Sequence, residues 1–151
     1  MSSRPPRREP EDNTTYWMVQ AASGLQRRIT EGLVAAGHPV RTAHAAVFGN
    51  IDSEGTRLST LAERANMTAQ AMGELVDDLV AKGYLTREPD PTDRRAKLIT
   101  ITDLGYQGVQ DAYDTISGIE DDLAVLLGRR GLVALRRALR RIADAQSGED
   151  G

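Results

Sequence analysis

One short polar stretch, AspProThrAspArgArgAlaLys, gathers Asp93, Arg94, Arg95 and Lys97. An arginine at the tip of a tight loop can enter a narrow, electronegative groove of a duplex. A carboxylate two residues earlier, Asp93, can hold the Arg95 guanidinium extended through a bidentate ion pair. Arg94 and Lys97 would then meet phosphates, with Arg87 opposite as a further cation. The bland reading of the same residues is a solvated charged turn. A second set is Thr68, Ala69, Gln70, Gly73 and Glu74, the outward positions of one helical segment. Gln70 suits a bidentate pair with adenine, Glu74 an acceptor for cytosine N4, and Thr68 a base edge or a phosphate. Their bland reading is the polar face of a surface helix. Asp77 and Asp78, on the same helix, are read as solvated charge pointing apart.

These side chains need elements to aim them. Ser59 is the expected N-cap of a short helix with Leu61, Ala62 and Ala65 on its apolar face. Asn66 falls where the chain must turn, and asparagine tolerates the left-handed conformation. Thr68 caps the next helix, with Met67 and Met72 spaced as a hydrophobic staple. Met72, Leu75, Val76, Leu79 and Val80 form its buried stripe, and Gly83 ends it. Tyr84 to Arg87 and Ala96 to Ile101 read as strands. The residues between are expected to be irregular, because Pro89 and Pro91 lack a ladder donor. Arg57 and Leu58 are expected to add a short strand to this hairpin.

Helices flank this unit. Thr14 or Thr15 caps a first one, with Met18, Ala22, Leu25, Ile29 and Leu33 on one face, ending at Gly37 and Pro39. Thr42 to about Asn50 reads as a short helix with Val47, Phe48 and Ile51 inward. Thr102 caps a long helix to about Leu127, carrying Val109, Tyr113, Ile116, Ile119, Leu123 and Leu126. GlyArgArgGly at 128–131 breaks it. A last helix has Leu132, Leu135, Leu139 and Ile142 on one side and Arg136, Arg137, Arg140 and Arg141 on the other. The outer helices are too apolar for the small core between them, so a second subunit is expected to cover their stripes. The division expected is a disordered tail over 1–12, helical dimerisation segments at 13–37 and 103–146, a reading unit at 40–102 and a frayed tail at 147–151. The basic start is either a plain tail or an arm that touches phosphate.

The 151 residues are 40% hydrophobic but only 4% aromatic, so the core must be aliphatic. There is no cysteine, which excludes disulfides, thiolate zinc sites and thiol redox chemistry. The net charge of −3 argues against non-specific nucleic-acid binding and leaves any such binding to local cations. No apolar run approaches the roughly 18–20 residues of a membrane span, and the start lacks the apolar core of a signal peptide. A cytoplasmic protein without membrane contact is expected. His38 and His44 are too few for a metal site, no catalytic spacing appears, and neither an enzyme nor a cofactor is expected.

A helix-turn-helix followed by a polar-tipped hairpin is a winged helix, in a fold that is otherwise mainly α. LeuAlaGluArgAla, MetThrAlaGlnAlaMetGlyGluLeuValAspAspLeuValAlaLysGlyTyrLeu and AspProThrAspArgArgAlaLysLeuIleThrIleThrAspLeuGly resemble the MarR (multiple-antibiotic-resistance regulator) family, over roughly Leu58 to Gly105. The resemblance implies a homodimeric transcriptional regulator bound to a pseudo-palindromic DNA operator, more often a repressor, released by a small aromatic or phenolic ligand. It makes Arg95 the minor-groove arginine and Asp93 its orienter. It implies a ligand pocket beside the dimerisation helices, for which Tyr16, Trp17, His44, Phe48 and Tyr113 are candidates, with ordinary core packing as their alternative. Gly73 and Glu74 stand where many members carry Thr-Arg, and Asp78 where a basic residue is frequent, so operator preference does not transfer. The competing function is a winged-helix protein-interaction module that has given up DNA, which the acidic Glu74, Asp77 and Asp78 favour.

Overall fold

The computed structural model describes residues 12–147. The expected tails and the basic arm lie, apart from Asp12 and Ser147, outside the described residues. The elements are α1 (Thr14–Ala35), a 3₁₀ turn (Thr42–His44), α2 (Ala45–Phe48), α3 (Leu58–Arg64), α4 (Ala69–Ala81), β1 (Leu85–Asp90), β2 (Asp93–Ile101) and α5 (Asp103–Ser147). The fold is therefore mainly helical, with one antiparallel hairpin. Among the described residues no helix is long and apolar enough to cross a membrane.

The core is built around α4. Its Met72, Leu75, Val76 and Leu79 are buried and pack with Val47 of α2, Leu61 and Ala62 of α3, and Tyr84, Leu85 and Ile99 of the hairpin. Met67 and Val80 close over this cluster from its edge. Thr68 caps α4 by accepting the Ala71 N–H at 3.1 Å. Asn66 takes a φ of 51° in the turn before it, as its side chain tolerates.

Three local readings shift. Asn13, not Thr14 or Thr15, caps α1, because its Oδ1 accepts the Tyr16 N–H at 2.8 Å. The helix of the reading unit starts at Leu58 with Arg57 as N-cap, so Ser59 lies inside it. The added bridge to the hairpin is Thr56 to Ile99, one residue before the expected strand. That bridge holds the chain extended through Arg57, and α3 begins at once.

The hairpin also runs further than the prolines suggested. Pro89 pairs with Lys97, and the ladder resumes with Asp90 opposite Asp93. Each strand of a two-stranded sheet has an open edge, and proline is tolerated at edges and bulges. The register shift between Pro89 and Asp90 leaves Arg94, Arg95 and Ala96 with no partner on β1.

Helix α1 lies antiparallel along α5. Arg28 pairs with Asp122 at 2.5 Å, and a Cβ on Gly32 would meet the Thr115 side chain at 2.6 Å, so the two helices touch backbone-close. Helix α5 is broken at Gly128, whose φ of 69° and ψ of 159° are not helical. Straight helix would set residues 120 and 136 about 24 Å apart at ~1.5 Å per residue, yet Arg136 pairs with Glu120. The two arms therefore bend back toward each other. That pair gives one of the four C-terminal arginines a partner.

Replacing Leu79, which is fully buried, with alanine is expected to lower the unfolding free energy by about 2–5 kcal/mol. Chemical denaturation of both proteins measures it, and a change near zero would remove α4 from the centre of the core.

Candidate nucleic-acid interface

The buried stripe of α4 sets which side chains point away from the core. Thr68, Ala69, Gln70 and Glu74 are exposed, along the first turns of the helix. Gly73 is half buried, with Leu58 of α3 within contact of its position, so it is part of the helix packing more than of the outer face. Gln70 and Glu74 have no hydrogen-bond or ion-pair partner among the described residues and stand free to meet a ligand. The Thr68 oxygen is engaged as the cap, which leaves its O–H to donate.

The wing is held by a carboxylate the sequence did not single out. Asp90 is 5% exposed. It accepts from Arg57 Nε at 2.7 Å, from the Thr92 N–H at 2.8 Å and from the Thr92 hydroxyl at 2.7 Å. The Thr92 bonds foremost, then the Arg57 guanidinium, hold its carboxyl down at about 2. Arg57 stands at the start of α3, so this tie fastens the wing tip to the helix-turn-helix. The AspProThr run carried a local signal for the turn. The Arg57 partner carried none, being far away in sequence.

Asp93 does not act as expected. Its carboxylate accepts the backbone N–H of Arg95 at 3.0 Å and lies 4.0 Å from Arg57. It shapes the loop instead of gripping the Arg95 guanidinium. The side chains of Arg94, Arg95 and Lys97 are exposed and find no partner among the described residues. Arg87, in contrast, is engaged by Asp77 of α4 at 2.5 Å at the root of the wing.

The two aspartates of α4 point apart as expected, but each is paired, and Asp77 stays 68% exposed in its pair. Asp77 turns to Arg87. Asp78 turns the other way, to His44 Nε2 at 2.8 Å, to Arg41 at 3.4 Å and to Lys82. Lys82 foremost holds the Asp78 carboxyl below its usual range. Burial pushes the His44 imidazole below its ordinary value, against the pull of Asp78. The Arg41 N–H donates to His44 Nδ1 at 3.0 Å, so the neutral ring carries its proton on Nε2 and donates it to Asp78.

Beside α4 lies a cavity of about 260 Å³ between α1, α2 and α5. Its wall is mainly apolar, including Ile29, Leu33 and Ile116. Three of the residues proposed for a pocket, His44, Phe48 and Tyr113, line it. Tyr16 and Trp17 do not. They stack edge to face at 5.1 Å near the start of α1, where Trp17 Nε1 donates to Asp12. The spacing of aromatics on a helix could not tell these two ends of α1 apart. Sequence reasoning missed Arg41, His38 and Tyr84, which also line the cavity. His38 joins Asp111 at 2.7 Å through Nε2 and the Tyr84 hydroxyl at 2.7 Å through Nδ1. Asp111, when ionised, only accepts, so Nε2 donates to it and the neutral ring leaves Nδ1 to accept from Tyr84. Burial raises the Tyr84 hydroxyl.

Comparisons with known proteins place this geometry. Residues 38–96 match the model of the MarR family. No curated protein matches the chain. Among solved structures, wild-type MarR from E. coli in its apo form is similar, with a TM-score of 0.73 at 17% identity over 87% of this chain and 98% of that one. CouR from Rhodococcus jostii RHA1 bound to p-coumaroyl-CoA has a TM-score of 0.69 at 23% identity over 87% and 92%. CouR bound to a 23-mer DNA duplex has a TM-score of 0.69 at 23% identity over 87% and 93%. At these identities the likeness is one of fold.

Asp90→Asn removes the charge that ties the wing to Arg57 and is expected to weaken duplex binding by roughly tenfold, the scale of one misplaced arginine contact. The tie in the native protein contributes fully above the ordinary carboxylate value of 3.8 and is lost only as pH falls through about 2. Native and variant should therefore differ in wing hydrogen exchange at pH 7 and converge toward pH 2. An equal exchange rate at pH 7 would refute the tie.

Proposed function

The winged helix of this chain is that of a MarR-family DNA-binding transcriptional regulator, and from that premise we propose that the protein acts as a homodimer on a pseudo-palindromic operator, as a repressor released by a small ligand. The observation that carries the DNA reading is the set of free side chains on one unit. Gln70 and Glu74 at the start of α4, and Arg94, Arg95 and Lys97 on the wing, are exposed and uncommitted among the described residues. The first turns of α4 suit base edges in the major groove, and Arg95 suits the adjacent minor groove. Phosphate contacts from Arg94 and Lys97 would set the register.

Dimerisation is supported by apolar surface that this chain leaves uncovered. Val125 and Leu126 are 88% and 76% exposed, and Leu127, Val133, Leu135, Leu139 and Ile142 continue the exposure along α5. Trp17, Val19 and Val34 do the same on α1. So many large apolar side chains left exposed on two helices mark an interface. A ligand is supported by the cavity, with its apolar wall and few polar groups, and by the p-coumaroyl-CoA carried by the structurally similar CouR. The reading as a protein-interaction module keeps Glu74 but is weakened by the pairing of Asp77 and Asp78 within the chain.

Three variants test this reading. Arg95→Ala is expected to weaken operator binding by roughly tenfold, and Gln70→Ala to cost about 1–3 kcal/mol of discrimination at one base pair. Binding measured by anisotropy at two salt concentrations should weaken with salt, and footprinting should give half-sites about 10–10.5 bp apart or a multiple of that. Leu126→Glu should sediment as a monomer and lose the operator. A Leu126→Glu protein that stays dimeric would refute this interface.

A further inference from the structure

Glu74 brings a negative charge to the outward face of the first turns of α4. It has no hydrogen-bond or ion-pair partner among the described residues. The positions three and four away along the helix, Gln70, Ala71, Asp77 and Asp78, hold no cation to neutralise it. Helix α4 itself carries neither lysine nor arginine. The free cations of the reading head among the described residues, Arg94, Arg95 and Lys97, are on the wing. The wing therefore supplies the attraction to phosphate. The helix presents to the bases a carboxylate that phosphate repels.

An ionised carboxylate only accepts hydrogen bonds. Along the major groove the donors are cytosine N4 and adenine N6, while guanine and thymine present acceptors. Adenine N6 stands beside N7, an acceptor that repels a carboxylate and suits the mixed amide of Gln70. Cytosine N4 stands beside an apolar C5–H, so it is the edge a carboxylate fits. Gln70 and Glu74 lie on one face, one turn apart. That is about 6 Å along the helix axis, against a rise of about 3.4 Å per base pair, so the bases they meet are about two base pairs apart or closer.

We infer that Glu74 selects a cytosine in each half-site, close to the adenine met by Gln70, and that it does so largely by exclusion of every other base edge. This rests on the reading of the α4 face as a DNA-reading head. Glu74 lowers affinity for any duplex that lacks the cytosine, and so sets the ratio of specific to non-specific binding. One consequence is chemical. In a C·G pair one N4 hydrogen bonds to guanine and the other faces the groove. A methyl group on N4 takes the groove position while the pair persists, and it removes the donor that Glu74 needs.

The full-length native protein and its Glu74→Ala and Gln70→Ala variants would each select duplexes from a random library, with unfolding midpoints to check that both variants fold. The native protein should select a C·G pair about two base pairs or less from an A·T pair. Glu74→Ala should lose the C·G preference alone, and Gln70→Ala the A·T preference alone. A duplex from the native selection would then be made with and without N4-methylcytosine at that C·G pair, and affinities read by anisotropy. Methylation should weaken native binding by about tenfold or more, the scale of one base contact. Glu74→Ala should bind both duplexes equally. It should also hold a random duplex up to roughly fivefold more tightly than the native protein does, as one like charge is removed. A native selection without a C·G pair, or the same sensitivity to N4-methylation in Glu74→Ala, would overturn the role of Glu74 and leave the DNA reading standing. Selection of no duplex at low salt would overturn the DNA reading, and this inference with it.

Discussion

The rotation of α4 about its own axis is the constraint on which the reading head depends. Burying Met72, Leu75, Val76 and Leu79 against α2, α3 and the hairpin fixes that rotation. Once it is fixed, Gln70 and Glu74 face outward, Asp77 faces the wing and Asp78 faces Arg41 and His44. Hydrophobic burial is non-directional, yet on a helix it acts with direction, because neighbouring residues are set at fixed angles. A polar or charged residue in the stripe would move every one of these contacts together.

Charge is managed around that helix by pairing. Of the three carboxylates of α4, Glu74 stays free and outward while the other two are paired. Here Asp77 is held by Arg87, Asp78 by Lys82, His44 and Arg41, and Asp90 by Arg57. Of the cations of the wing left over, Arg94 and Arg95 sit in the unpaired stretch at the register shift and Lys97 directly follows it. The unpaired stretch of β2 is thus what the loop offers to a partner. The tie from Arg57 to Asp90 keeps that stretch in a fixed relation to α4, so that both parts of the interface move as one body.

Two residues of the cavity wall, Arg41 and His44, also contact the reading helix. His38, Tyr84 and Asp111 join the linker after α1, the start of β1 and α5 by two short hydrogen bonds. Arg41 and His44, a few residues on, join the same linker to α4. A molecule placed between them touches groups that belong to the outer helices and to the winged helix at once. This is a physical basis on which occupancy of the cavity can bear on the geometry of α4.

Much of this was legible in the order of residues, because it is decided within a few positions of the chain. The stripe of α4, the left-handed Asn66, the Thr68 cap and the break at Gly128 depend on helix periodicity and on backbone preferences of single residues. The cap of α1, the start of α3 and the length of the hairpin were off by a few residues. There a long-range contact, the bridge of Thr56 to Ile99, or an open sheet edge outweighed the local preference. The functional roles of the carboxylates were not legible at all. Asp78 and Asp93 look alike in sequence, and so do Tyr16 and Tyr113. Which of them pairs with a distant cation, shapes a loop or lines a cavity is set by where the chain returns. The sequence by itself determined the winged helix and its outward residues, through local periodicity. Only the tertiary structure decided the Arg57–Asp90 tie, the Asp78 link and the cavity, because each joins groups that local rules cannot bring together.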